Sequence, residues 1–269
     1  MSDIKLALTI AGSDASGGAG IEADLKTFEE YGVYGMAAIT VIVTMNPENW
    51  THNVTLIDSD VIRAQIATAT AGRKLSVLKT GMLANVEMIQ IAADTIDNNG
   101  IQNVVIDPVM VCKGENAVLN PENADALKNI LVPKSTVTTP NLFEAGVLSG
   151  LGKITDLGGI KEAAKRIHAT GAKNVVVKGG KALAGNAAID VFFDGTNIDV
   201  LETEKITHSF NHGAGCTFAA AVAGGLANGL SPRDSVYNAK EFVSSAIAHG
   251  FEFNRFVGPV FHGAIHALV

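Results

Sequence analysis

A chain of 269 residues with 47% hydrophobic side chains is long and apolar enough to bury a sizeable core. A formal net charge of -7 argues against nucleic acid or an acidic membrane surface as the main partner, and aromatics at 6% argue against an aromatic binding platform. The two cysteines, Cys112 and Cys216, lie too far apart to match a zinc spacing.

Apolar runs alternate with helical patterns through most of the chain. Strands are expected at Ile4–Gly12, Met36–Thr44, Ser76–Gly81, Asn103–Val109, Thr136–Asn141 and Asn174–Gly180. Most are apolar on both faces, as strands of a parallel sheet covered by helices must be. Gly100 and Gly171 are placed to end helices, Asn120-Pro121 to open one, and Ser231-Pro232-Arg233-Asp234 to cap the next. Ala187–Glu202 alternates around Asp194-Gly195, which predicts a hairpin and an antiparallel sheet edge. No linker or repeat divides the chain. The expectation is one domain over 1–269, a three-layer α/β/α sandwich with a mostly parallel sheet and ligands at the strands' carboxyl ends. No 18-residue apolar run occurs, and "MSDIKLALTIAGSD" lacks a charged-then-apolar leader, so a cytoplasmic location with free thiols is expected.

Two glycine-rich loops could meet an anion. In the first, Gly18-Ala19-Gly20-Ile21-Glu22-Ala23 matches the dinucleotide fingerprint G-x-G-x-x-A, but "SDASG" separates it from the preceding strand. A structural turn and a substrate loop are the other readings. No G-x-x-x-x-G-K-[ST] stretch occurs. In the second, "NHGAGC", Gly213, Ala214 and Gly215 precede a run of small residues that reads as a buried helix. Its free first-turn amides would make an anion site. Cys216 at that end is either a small core residue or a thiol with a lowered pKa.

Asp107, Asn141 with Glu144, and Lys178 each follow a predicted strand. Together they offer oxygen ligands for Mg²⁺ and a cation for phosphate oxygens, the parts phosphoryl transfer needs.

With these pieces in place the chain resembles the ribokinase superfamily, and within it the branch of pyridoxal kinases and hydroxymethylpyrimidine kinases. The matching stretches are "ALTIAGSDASGGAGIEADLKTF", "YGMAAITVIV", "LKTGML", "VVIDPVMVCKGENAVL", "TPNLFEA", "VVVKGG" and "HGAGCTFAAA", in the family's order. The resemblance implies transfer of the γ-phosphoryl of MgATP to a hydroxymethyl group on a small heteroaromatic ring. It implies an anion hole at Gly213, Ala214, Gly215 and Cys216, with Mg²⁺ organised by Asp107 and Glu144. It implies an ATP site with Asn141, Glu144, Lys178 and Gly180, and a ring pocket with Gly12, Asp24, Met45, His52, Met82 and Val109. A lid at about 108–119 carries Cys112, Lys113 and Gly114, and a homodimer is the common assembly.

Where sugar kinases of the superfamily end this loop in a basic Asp, this chain has Cys216. The resemblance implies a thiolate base that could also add to the aldehyde of pyridoxal, and Cys112 matches the subgroup with a second cysteine in the lid. Dedicated pyrimidine kinases resemble this chain but place a glutamine where Met45 stands. A methionine cannot hydrogen-bond an amino group comparably, which favours pyridoxal, with pyridoxine and pyridoxamine, in vitamin B6 salvage. Hydroxymethylpyrimidine, free or phosphorylated, is the alternative substrate.

Overall fold

The computed structural model describes residues 4–110 and 121–265. Nine strands form one sheet: β1 (Leu6–Asp14), β2 (Tyr34–Met45), β3 (His52–Leu56), β4 (Val77–Thr80), β5 (Val104–Ile106), β6 (Val137–Thr138), β7 (Val175–Gly180), β8 (Ala187–Phe193) and β9 (Ile198–Glu204). Their spatial order is β3-β2-β1-β4-β5-β6-β7-β8-β9. From β2 to β7 the neighbours run parallel, while β3 at one edge and β8 and β9 at the other are antiparallel. The helices are α1 (Gly20–Glu30), α2 (Ser59–Thr70), α3 (Val86–Asn98), α4 (Pro121–Ala126), α5 (Leu142–Ser149), α6 (Leu157–His168), α7 (Ala214–Ala227) and α8 (Pro232–Ala248).

Alternate strand residues serve opposite faces, which is why the parallel strands read as unbroken apolar runs. Leu8, Ile10, Leu78, Ile106, Val175 and Val177 pack beneath α2, α3, α5 and α6. Ala7, Val77, Val105, Val137 and Val176 pack beneath α1, α7 and α8. Phe28 of α1 is fully buried on this second face, a burial worth roughly 1.5–3 kcal/mol. Small residues let α7 lie close to α1: a Cβ on Gly224 would stand 2.7 Å from the Tyr31 ring.

The hairpin around Asp194-Gly195 forms as expected, with Gly195 at φ 95° and the Asp194 carboxylate accepting from the amides of Thr196 and Asn197. Ser231 caps α8 by accepting from the Asp234 amide. Three expectations needed correction. β3 was not foreseen, because its short run "HNVTL" is exposed and carries no burial pattern. The run Thr136–Asn141 supplies only two paired residues before Asn141 turns into α5. β1 runs on past Gly12 to Asp14, which carries that carboxylate to the mouth of the sheet. The expected lid lies, from Val111 onward, outside the described residues, and so do Cys112 and the Asn120 cap.

Candidate active site

From β1 the chain crosses through α1 to β2 and β3 on one side, then returns through α2 to β4 on the other side of β1, so the strand order reverses between β1 and β4. The carboxyl ends of strands beside such a switch point leave a crevice. Here it is a cavity of about 470 Å³, lined in part by the N-terminus of α7.

One wall is apolar. Gly12, Met45, His52, Met82 and Val109, the residues expected at a ring pocket, line it. Met45 and His52 face each other as the last register pair of β2 and β3. The Nδ1 atom of His52 is buried and has no hydrogen-bond partner among the described residues.

Charged and polar groups share this space. Asp107, Asn141, Glu144, Lys178, Gly213, Ala214, Gly215 and Cys216 all line the same cavity. Lys178 Nζ donates to Asp107 Oδ1 at 2.9 Å, and the Thr139 hydroxyl donates to the same oxygen at 2.9 Å. Asn141 and Glu144 form a full capping box at the start of α5, each side chain accepting from the other's backbone amide. Burial, then the charge of Asp107, pushes the Glu144 carboxyl up to about 7. Against its own burial, Lys178 is held above its usual range by Asp107 and Glu144.

Two carboxylates sharing one lysine leave this corner short of positive charge, and a divalent cation would supply it. Among the described residues no three His, Cys, Asp or Glu side chains cluster into a closed metal site. An oxygen-poor protein site suits Mg²⁺, which keeps waters and takes substrate phosphates into its shell.

The anion loop comes from the backbone. Gly213 sits at φ 82° and α7 has no side-chain cap, so the first-turn amides of Gly215 and Cys216 are offered to a ligand. A Cβ on Gly213 would run into the Gly18 carbonyl. Cys216 does not behave as its helix position alone suggests. Burial pushes its thiol up to about 11, with Asp107 and Asp24 adding to the rise and Lys79 opposing it. The thiol is therefore raised where a lowering was expected, with burial the largest cause.

One further expectation is corrected. Asp24 does not line the ring pocket; it is fully buried and joined to Lys79. Gly180 lies in an adjoining cavity of about 350 Å³ that also touches Asn141, Lys178 and Gly215. It stays beside the phosphate end because β7 runs past the cavity before β8 turns back.

Sequence reasoning missed Lys79 and Asp14. A lysine inside the apolar strand "SVLKTG" was the available signal for Lys79. Asp14 accepts from Ser16 and Ala19 amides at 2.8 and 3.0 Å, and pairs with His212 Nε2 at 2.6 Å. Burial works against its charge, yet the His212 and Ser16 hydrogen bonds hold the carboxyl down at about 2. Glu22 takes the Asp14 amide and the Ser13 hydroxyl. The loop's own carboxylates therefore occupy amides that a dinucleotide-binding turn would present to a pyrophosphate.

The phosphomethylpyrimidine kinase family model matches residues 14–261, the span that carries both glycine loops and all of the cavity lining except Ala11, Gly12 and Ser13. The chain belongs to this family. Among relatives of this family member, the pyridoxine kinase of Bacillus subtilis (strain 168) is 55% identical over 260 residues, covering 96% of each chain. The hydroxymethylpyrimidine/phosphomethylpyrimidine kinase of the same organism is 39% identical, over 97% of this chain and 96% of its own. The pyridoxal kinase of Staphylococcus aureus, solved in complex with AMP-PCP and pyridoxal, superposes with a TM-score of 0.93 at 49% identity, covering 98% of this chain and 95% of that one.

Proposed function

We propose that this chain is a pyridoxal kinase, transferring the γ-phosphoryl of ATP to the 5'-hydroxymethyl group of pyridoxal and, by the same geometry, of pyridoxine and pyridoxamine. The observation that carries the reading is one cavity that holds both an apolar and a charged set of side chains. Met45 and Met82 line the same space as the uncapped N-terminus of α7, Asp107 and Lys178. Relatives named for vitamin B6 are also more similar than those named for the pyrimidine.

Phosphoryl transfer asks little covalent chemistry of a protein and much positioning and charge stabilisation. The amides of Gly215 and Cys216 would receive the equatorial oxygens, with Lys178 adding charge beside them. Asp107 and Glu144 would hold Mg²⁺, which when bound neutralises phosphate charge. Gly180 and its neighbours would flank the nucleotide. Gly12, Met45, Met82 and Val109 would sandwich the ring, with the open Nδ1 of His52 available to one of its polar substituents. Cys216 would stand at the acceptor hydroxyl as a thiol at neutral pH, and would take the proton as thiolate at higher pH.

The whole chain acts as one kinase unit, with the segment at 108–119 as its lid. A homodimer is supported by β3, an edge strand that exposes Val54 and Leu56. A cytoplasmic location suits an enzyme that draws on ATP, and no helix among the described residues is long and apolar enough to cross a membrane.

The deciding experiment compares kcat/KM for pyridoxal and hydroxymethylpyrimidine with purified enzyme and MgATP. A preference for pyridoxal is expected; a pyrimidine preference above about tenfold would transfer the assignment to thiamine synthesis.

A further inference from the structure

Trp50 has the one positive φ (61°) among the described non-glycine residues. A bulky residue rarely adopts that conformation, and an ordinary turn would place glycine or asparagine there. The strain sits in the loop that joins β2 to β3. Its closing bonds run from the Asn46 amide to Thr51 O (2.9 Å) and from the Trp50 amide to Asn46 O (2.8 Å). The strand pair it closes is Met45 and His52, the outer wall of the ring pocket.

The indole does not point idly into solvent. It stacks on Phe256 with ring centroids 5.9 Å apart and planes 18° from parallel, and Phe253 tilts against it at 6.1 Å. Arg255 lies over the Phe256 ring at 4.6 Å and donates to Glu48 O at 2.9 Å, a second tie between the same two loops. The C-terminal loop is itself built for a fixed shape, since Asn254 Oδ1 accepts from the amides of Phe256 and Val257. From there the chain reaches the anion loop: the His212 amide donates to Gly258 O and the Val260 amide to His212 O, both at 3.1 Å. Between these parts lies a second cavity of about 370 Å³, which shares His52 and His212 with the first.

Burial alone does not explain this cluster, because Phe253 and Phe256 remain about half exposed. We propose that Trp50 is a positioning residue: its stack on Phe256 straps the Met45–His52 wall to the C-terminal loop, and through that loop keeps the ring pocket in register with the anion loop at His212. The inference rests on reading the apolar wall as the ring site.

Two substitutions test it. Trp50→Gly relieves the backbone and removes the stack, so a folded protein is expected, with unchanged or higher Tm. Its KM for pyridoxal should rise at least tenfold while KM for ATP stays within twofold. Trp50→Phe keeps an aromatic face and should restore KM for pyridoxal to within about threefold of the parent. Phe256→Leu breaks the stack from the other side and should reproduce the KM split. Trp50 is the only tryptophan of the chain, so its emission should shift to the red in Phe256→Leu. An unchanged KM for pyridoxal in Trp50→Gly overturns the inference, as does an equal rise in both KM values with a fall in Tm. Unshifted emission in Phe256→Leu overturns it too. A parent enzyme that turns over the pyrimidine but no B6 vitamer defeats the substrate reading instead, and the same KM split is then read on the pyrimidine.

Discussion

Lys79 Nζ lies 2.8 Å from both carboxylate oxygens of Asp24, and neither side chain has any exposed surface. The Thr9 hydroxyl donates to Asp24 Oδ2 at 2.6 Å, so both oxygens act as acceptors. Burial pushes Asp24 up from its usual value, but the contact geometry and the charge of Asp24, which holds the Lys79 ammonium up, make this an ion pair. It places a fixed positive charge under Cys216, at the floor of the cavity.

Replacing one partner of that pair leaves the other charge buried and alone. Lys79→Met should therefore cost about 3–5 kcal/mol in urea unfolding. The double variant Lys79→Met/Asp24→Leu should recover most of that stability without recovering kcat. Full recovery of kcat would show that the pair only holds the fold.

Met45 lines the cavity in register with His52. Met45→Gln adds an amide beside His52 and should move the ratio of kcat/KM toward hydroxymethylpyrimidine by about tenfold or more. An unchanged ratio would place discrimination elsewhere in the pocket.

Gly213 carries the anion loop at a φ of 82°. In Gly213→Ala the left-handed conformation costs about 1–2 kcal/mol, and the new methyl collides with the Gly18 carbonyl. Loss of aligned amides should lower kcat by about 10²–10³. Comparable kcat in the folded variant would remove the loop from the transfer step.

The thiol of Cys216 lies near 11 in the free site. If the thiolate is the base, kcat must rise with pH through the neutral and alkaline range, because only the deprotonated form works. Cys216→Asp should flatten that rise by offering an acceptor already ionised at neutral pH. A flat profile in the parent enzyme would show that Cys216 does not remove the proton.

His262 gives a separate pH signature, in stability. Burial, then the Lys26 charge, lowers its imidazole from 6.5 to about 4. Between those values the unfolded chain binds the extra proton, so stability is lost as pH falls through that window. Going from pH 7 to pH 5 should cost about 2 kcal/mol from this group. Chemical denaturation of His262→Gln should show a shallower fall over the same range.

The sequence-based reading succeeded where a signal was local. Strands buried on both faces announce themselves as apolar runs, and Asp194-Gly195 announces its hairpin. The start of α7 was legible because its glycines stand next to the helix they open. β3 was not, since an exposed edge strand needs no apolar face. Asp24 was misplaced because its direction depends on how α1 rotates onto the sheet, and Lys79 was overlooked because its partner is 55 residues away. The Cys216 thiol was misjudged for a related reason: the helix end is visible in the sequence, whereas the desolvation that raises the thiol comes from packing.

The interlock of Asp14 with His212 joins residues 198 positions apart. A growing chain leaves the ribosome with β1 and its glycine loop first and the anion loop among the last segments. The two glycine-rich loops therefore meet only when most of the sheet has already been made, and closure of so long a loop is slow. A truncated or stalled chain carries β1 and its glycine loop without the N-terminus of α7, and so has only part of the cavity lining.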